Sequence, residues 1–90
     1  MTLNSDTPIM AASMRTEEVY GRGTLAGSSK HFYAGLIIDE CYRLRGMPKH
    51  GEFEARADTA REAMDELAEQ LSPFFSGDVI VEEDTTGTLE

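Results

Sequence analysis

Residues 32–44 have the sequence FYAGLIIDECYRL, and the fold of the chain depends on how this apolar stretch is interpreted. On a helical wheel of ~100° per residue, most of its apolar side chains cover an arc from ~40° to ~200°, measured from the first residue. Ile38 and Tyr42 add a second apolar strip near ~240° to ~280°. Asp39 and Arg43 have the i,i+4 spacing of a favourable ion pair. We therefore predict a central helix over residues 32–44 that is covered from at least two sides.

A second helix is predicted over residues 52–72, where Pro73 ends it. Gly46 and Pro48 are typical of the end of the first helix, so only a short loop connects the two. Such a link favours an antiparallel helical hairpin. The apolar side chains of the second segment lie within ~60° of one direction on the wheel: Phe53, Ala57, Ala60, Met64, Leu67, Ala68 and Leu71.

Three segments have the character of strands. Residues 8–13 are weakly apolar and suit an edge strand, and residues 79–81 are Val-Ile-Val. Residues 16–25 alternate less regularly, because Gly21 and Gly23 interrupt them. Glycines inside a strand indicate a bulge or a close approach of another backbone.

These elements predict an α+β fold in which an antiparallel two-helix hairpin packs on a small antiparallel β-sheet. The order is β-α-α-β, with residues 8–13 available as an extra N-terminal edge strand. A chain of 90 residues suits one domain, here residues 1–90. The polar tails, residues 1–7 and 84–90, are expected to be frayed. Whether the closing Leu89-Glu90 is native stays open.

Composition excludes several classes of function. A net charge of −9 opposes nonspecific binding to nucleic acid or to an anionic membrane, since both need Lys and Arg to neutralise phosphates. The single cysteine, Cys41, excludes an internal disulfide and a zinc site built mainly from cysteines. Neither a signal peptide nor a transmembrane segment is expected. The sequence therefore favours the cytoplasm.

Residues 19–30, where glycines precede the predicted central helix, superficially resemble a phosphate-binding loop. The spacing is Gly-x-Gly-x3-Gly, which matches neither a P-loop nor a dinucleotide fingerprint. A bulged strand and a turn, with a serine capping the helix, explain the segment better. No cofactor is predicted.

Catalytic and metal-binding residues are not predicted. On one helix, His31 and Cys41 would lie ~15 Å apart, so Cys41 is interpreted as a small core residue. Glu40 projects among apolar side chains and is either desolvated or at a rim that reaches water. His50 follows in a loop, and the two histidines lack metal-ligand spacing.

The strongest polar feature is an acidic stripe in the C-terminal half. Residues 52–90 hold 12 acids and two bases, whereas residues 1–51 hold five acids and six bases. Such a stripe is either a solvated surface or a recognition surface for a basic protein. Its members lie opposite the apolar seam of the second helix: Glu54, Asp58, Glu62, Asp65, Glu66 and Glu69.

The leading hypothesis is a small acidic, non-enzymatic binding protein, either an inhibitor or an adaptor. It would present the acidic stripe to a basic protein surface. One such partner is a nucleic-acid-binding protein, for which the stripe would mimic the charge of nucleic acid. A phage or mobile-element origin would suit this function. The alternative is a structural subunit that forms a homodimer or larger assembly through Ile38, Tyr42 and a sheet edge. An enzyme using Glu40, His31 or His50 is the third hypothesis. The sequence names neither the partner nor the organism.

Overall fold

The computed structural model describes residues 7–75 and 78–84, which form five β-strands and one α-helix. Two short 3₁₀ turns, Glu40–Tyr42 and Ser72–Phe74, follow β3 and the helix. The main elements are β1 (Thr7–Ser13), β2 (Glu18–Ser28), β3 (His31–Ile38), β4 (Glu52–Ala57), α1 (Ala60–Leu71) and β5 (Val79–Glu83).

All strand pairs are antiparallel, and the order across the sheet is β4-β3-β2-β1-β5. The first four strands form a meander. Helix α1 then carries the chain from β4 at one edge to β5 at the other, where β5 pairs with β1. The helix therefore lies across one face of the sheet, and the other face is left without a helical cover in the described chain.

The core lies between α1 and the inner face of the curled sheet. Along β3, Ala34, Leu36 and Ile38 are buried, while Ile37 between them is 49% exposed. This alternation is the period of two that a strand imposes. The buried side chains of the helix occupy one face of it: Ala63, Met64, Leu67 and Leu71.

The predicted central helix is wrong, because residues 32–44 form most of β3 and the following 3₁₀ turn. Aromatic and β-branched residues favour strands, yet apolar side chains on both faces of β3 hide the alternation. Tyr33 and Ile37 point away from the core, so the stretch resembles a helix that is apolar all round. The two-helix hairpin on a small sheet is therefore corrected to a curled five-stranded sheet with a single helix.

The second predicted helix begins too early. Residues 52–57 form β4, in which Phe53 and Ala55 are buried and Glu54 is exposed. The helix begins after Thr59, whose Oγ1 accepts a hydrogen bond from the backbone N–H of Glu62 at 3.1 Å. Thr59 is thus a side-chain N-cap. The predicted end is confirmed to within one residue, since α1 stops at Leu71 and Pro73 lies in the next turn.

The predicted strands agree better with the structure than the predicted helices do. The strand at residues 79–81 is confirmed as part of β5, and residues 8–13 are a strand that lies inside the sheet, between β2 and β5, and not at its edge. The glycine prediction is also confirmed. The register shifts between Ala11 and Ala12, which leaves Tyr20 as an extra residue on β2. A Cβ at Gly23 would collide with the backbone of β3, at the Gly35 carbonyl oxygen.

The predicted frayed tails fall mostly outside the described residues, as does Leu89-Glu90. The last residue of the predicted N-terminal tail, Thr7, belongs to β1. The first residue of the predicted C-terminal tail, Asp84, is 8% exposed. Oδ2 of Asp84 accepts a hydrogen bond from Nη1 of Arg22 at 2.6 Å. Within the described ranges, no helix has the length and apolar character needed to cross a membrane.

Candidate functional site

Five of the six predicted acidic residues line one surface groove of about 510 Å³. Asp58 comes from the turn between β4 and α1, and Arg56 and Ala57 complete the lining from β4. We call this feature the acidic groove. Its carboxylates are all exposed: Asp58, Glu62, Asp65, Glu66 and Glu69.

Helical geometry explains why four of these carboxylates share a surface. Glu62, Asp65, Glu66 and Glu69 follow i, i+3, i+4, i+7 spacing, which keeps side chains on one side of a helix. The opposite side is the one that packs on the sheet. Burial of that apolar side therefore fixes the direction in which the acids project.

Glu54 does not join them. It belongs to β4, where strand geometry directs its side chain to the outer face of the sheet, and there it lines a separate depression with Glu52. The prediction of one helical stripe with six members is wrong at Glu54, which lies in β4, and at Asp58, which lies in the turn before the helix. Glu54 instead contributes its backbone carbonyl to a hydrogen bond from the Gln70 side chain.

The acidic groove holds little compensating charge. Arg56 is the one basic residue among its lining side chains. Arg61 approaches Asp65 at 4.0 Å, but the two side chains are 67% and 64% exposed, and such exposed pairs contribute only ~0.2–1 kcal/mol. Glu62 and Glu66 are like charges at i,i+4, which costs ~0.2–0.5 kcal/mol. A cationic partner in the groove would relieve this repulsion.

The predicted self-association strip does not exist as a surface. Ile38 is fully buried in the core. Tyr42 is half-buried in the 3₁₀ turn, where its ring packs edge-on against Tyr20 with centroids 5.0 Å apart. Partial burial raises the pKa of the Tyr42 hydroxyl, and the nearby negative charge of Glu18 raises it further. Other large apolar side chains are exposed, among them Ile37 on the outer face of the sheet.

The residues considered for catalysis are separate and exposed. His31 begins β3 and Cys41 follows its end, so the strand between them spans ~23 Å. Cys41 is an exposed free thiol, and its interpretation as a core residue is wrong. Glu40 is also exposed, so its carboxylate is not buried among apolar side chains. His50 lies in the loop before β4.

The glycine-rich segment is strand and hairpin. Gly21 and Gly23 lie inside β2, and Ser29 and Lys30 form the turn to β3. Since a strand follows where a helix was expected, the amides of a helix N-terminus are missing from this place, and with them the basis for a phosphate loop. In residues 7–75 and 78–84, no group of three or more His, Cys, Asp or Glu side chains is placed to hold a metal ion.

Two relationships were missed from the sequence. The guanidinium of Arg56 lies over the ring of Tyr33, 5.3 Å from its centroid, and Gln70 bonds to β4. The alternation of Phe53, Ala55 and Ala57 with polar residues was the available indication that Arg56 belongs to a strand. Its pairing with Tyr33 requires the register of β3 and β4, which local sequence does not contain.

Comparison of the chain with protein-family models, with curated proteins and with solved structures finds no match in any of the three. The function must therefore be inferred from the chain's own residues. The acidic groove is the candidate site because this shallow depression concentrates carboxylates.

Proposed function

We propose that this chain is a small non-enzymatic binding protein, an inhibitor or an adaptor, whose acidic groove receives a basic segment of a partner protein. One observation carries the proposal. Five carboxylates from a turn and a helix converge on a groove of about 510 Å³ in which Arg56 is the one basic lining residue. A concave surface of one charge attracts and orients a partner of opposite charge.

The contacts expected are charge-assisted hydrogen bonds from Arg or Lys side chains of the partner. Arginine suits them best, because its planar guanidinium can bind a carboxylate through two parallel N–H···O bonds. Binding would also remove the repulsion between neighbouring carboxylates such as Glu62 and Glu66. The free chain therefore carries a small electrostatic repulsion among these carboxylates, which a basic partner would reduce.

The spacing of the charges favours a nucleic-acid-binding protein as the partner. From Glu62 to Glu69, four acids extend over ~10.5 Å of helix axis at the ~1.5 Å rise per residue. This is a mean of about one charge per ~3.5 Å of helix axis, close to the ~3.4 Å of DNA axis per phosphate of one strand. A protein surface that binds a row of phosphates would therefore find a similar density of negative charge along this helix. We place this interaction in the cytoplasm, where the exposed thiol of Cys41 would stay reduced.

The proposal is tested by affinity capture of partners from the native host at low and high salt. The groove variant carries Asp58→Asn, Glu62→Gln and Glu66→Gln. The matched control carries Glu17→Gln, Glu18→Gln and Glu83→Gln, which remove the same charge at exposed positions elsewhere. Capture of a basic protein by the wild type and the control, lost at high salt and in the groove variant, supports the proposal. Capture that is equal for all three chains contradicts it.

Self-assembly is the second candidate, favoured by one observation. Ile37 is 49% exposed on the outer face of the sheet, on the same face of β3 as the half-buried Tyr33. In this version a second copy would cover Ile37 and not Ile38 or Tyr42. Light scattering distinguishes the two: a dimer that Ile37→Asp dissociates supports assembly, and a monomer at high concentration argues against it.

A further inference from the structure

A second concavity, of about 390 Å³, lies at the end of the sheet where the β2–β3 hairpin meets the end of β4. We propose that it binds a small organic anion with a flat aromatic body, of the aryl carboxylate class. Its volume falls within the ~300–1,000 Å³ typical of small-molecule sites. The cavity shares Arg56, Ala57 and Asp58 with the acidic groove, but the proposal does not rest on protein binding there.

The register of three strands builds the aromatic wall of this cavity. Ala26 on β2, Tyr33 on β3 and Arg56 on β4 are cross-strand neighbours in one row. Their side chains share the outer face, because strand residues in register point the same way. Tyr33 is half-buried, and Ala26 is its small neighbour on β2. Phe32, one residue earlier on β3, also lines the cavity, but its side chain points to the opposite face and packs against the core.

The charge of the cavity is opposite to that of the chain. The protein has 17 acids, eight Lys or Arg residues and two histidines, yet Lys30, His31 and Arg56 line this site against the single carboxylate of Asp58. Arg22 and Arg61 have carboxylate partners. In the described part of the chain, Lys30, His31 and Arg56 have no ion pair within 4.0 Å. Three basic groups are therefore available to an anion.

Arg56 and Tyr33 together define what kind of anion fits. The guanidinium lies over the ring at 5.3 Å, a cation–π arrangement that holds the planar group in one orientation. The guanidinium is thereby held at the Tyr33 side of the cavity, where its N–H groups could donate to a carboxylate. The ring of Tyr33 would contact an aromatic body, which a bare inorganic anion lacks.

An NMR titration of the ¹⁵N-labelled protein tests the proposal with three probes: 2-naphthoate, its neutral amide analogue 2-naphthamide, and inorganic phosphate. We expect saturable amide shifts at residues 30–33 and 56–58 with naphthoate, and much weaker binding of the other two. The variant Lys30→Gln with Arg56→Gln should weaken naphthoate binding about tenfold or more. Tyr33→Leu should also weaken naphthoate binding while leaving the response to phosphate unchanged.

The matched control is Arg45→Gln with Lys49→Gln, which removes two exposed bases from the loop before β4 and should leave binding unchanged. Because Lys30 and Arg56 are exposed as well, the spectrum of the unliganded double variant should show that the fold is kept. Absence of saturable shifts overturns the proposal. Equal binding of naphthoate and naphthamide overturns the role of the charges, and equal binding of phosphate overturns the role of the aromatic wall.

Discussion

The side-chain amide of Gln70 on α1 donates a hydrogen bond to the backbone carbonyl of Glu54 on β4, with Nε2 and O 2.7 Å apart. Strand β4 is an edge of the sheet. The Ile38 N–H donates to the Gly51 carbonyl, and along an antiparallel pair every second residue bonds to the neighbouring strand. Glu54 is one of the residues between, so its N–H and C=O point away from β3. Exposed edge groups are templates for pairing with another chain. Gln70 therefore both joins the helix to the edge strand and covers one of those groups.

Replacing Gln70 by Ala should lower the free energy of unfolding by ~0.5–1.5 kcal/mol, the usual contribution of one intramolecular hydrogen bond. Urea denaturation measures this change. The control is Glu69→Ala, another exposed position on α1, which should stay within ~0.5 kcal/mol of the wild type. The same Gln70 variant should self-associate more at high concentration. Identical stability and association for Gln70→Ala and the wild type would show that the bond does not hold the edge.

Gly23 should tolerate no side chain. A Cβ there would collide with the Gly35 carbonyl and come within 2.6 Å of the Leu36 Cα, and a backbone cannot yield as a side chain can. Gly23→Ala should therefore cost about 3 kcal/mol or more. Gly35→Ala is the matched control, because its Cβ would meet the movable Tyr33 hydroxyl at 3.0 Å. Thermal melts that rank Gly35→Ala as the more damaging change would contradict the close packing of β2 on β3.

Tyr42 should make the fold sensitive to alkali. Partial burial first, and then the charges of neighbouring groups led by Glu18, raise the pKa of its hydroxyl above the ordinary value of 10.0. The folded chain then holds this proton more tightly than the unfolded chain. Its stabilising contribution is complete below pH 10 and is lost as the pH rises through the folded pKa. In denaturant melts, raising the pH from about 9 to about 11 should lower the stability of Tyr42→Phe less than that of the wild type; equal losses would contradict the raised pKa of Tyr42.

Local sequence was sufficient for some elements and insufficient for others. The apolar face of α1, its end near Pro73 and the strand at residues 79–81 depend on near neighbours, and they were predicted. The interruption of β2 by Gly21 and Gly23 was predicted for the same reason. Strand β3 was missed because it pairs with both β2 and β4. Its pairing with β4 crosses the loop between them, and apolar residues on its outer face erased the alternation that would have identified it.

The candidate site shows the same division. Glu62, Asp65, Glu66 and Glu69 were grouped correctly because one helix carries them. Glu54 was misplaced because the helix was begun at residue 52. The pattern Thr59-x-x-Glu62 resembles a capping box and was the available indication of the true start. The cavity beside Tyr33 could not be predicted at all, since it depends on the register of three strands.

The most direct test of the acidic groove is an NMR titration of the ¹⁵N-labelled protein with an arginine-rich peptide at two salt concentrations. We expect saturable amide shifts centred on residues 58–69, with an affinity that falls as salt is raised. The variant Asp58→Asn, Glu62→Gln, Glu66→Gln should bind about tenfold more weakly or worse. The equal-charge control at Glu17, Glu18 and Glu83 should bind like the wild type. Shifts spread evenly over all acidic surfaces, with equal loss in both variants, would contradict the groove as a recognition site.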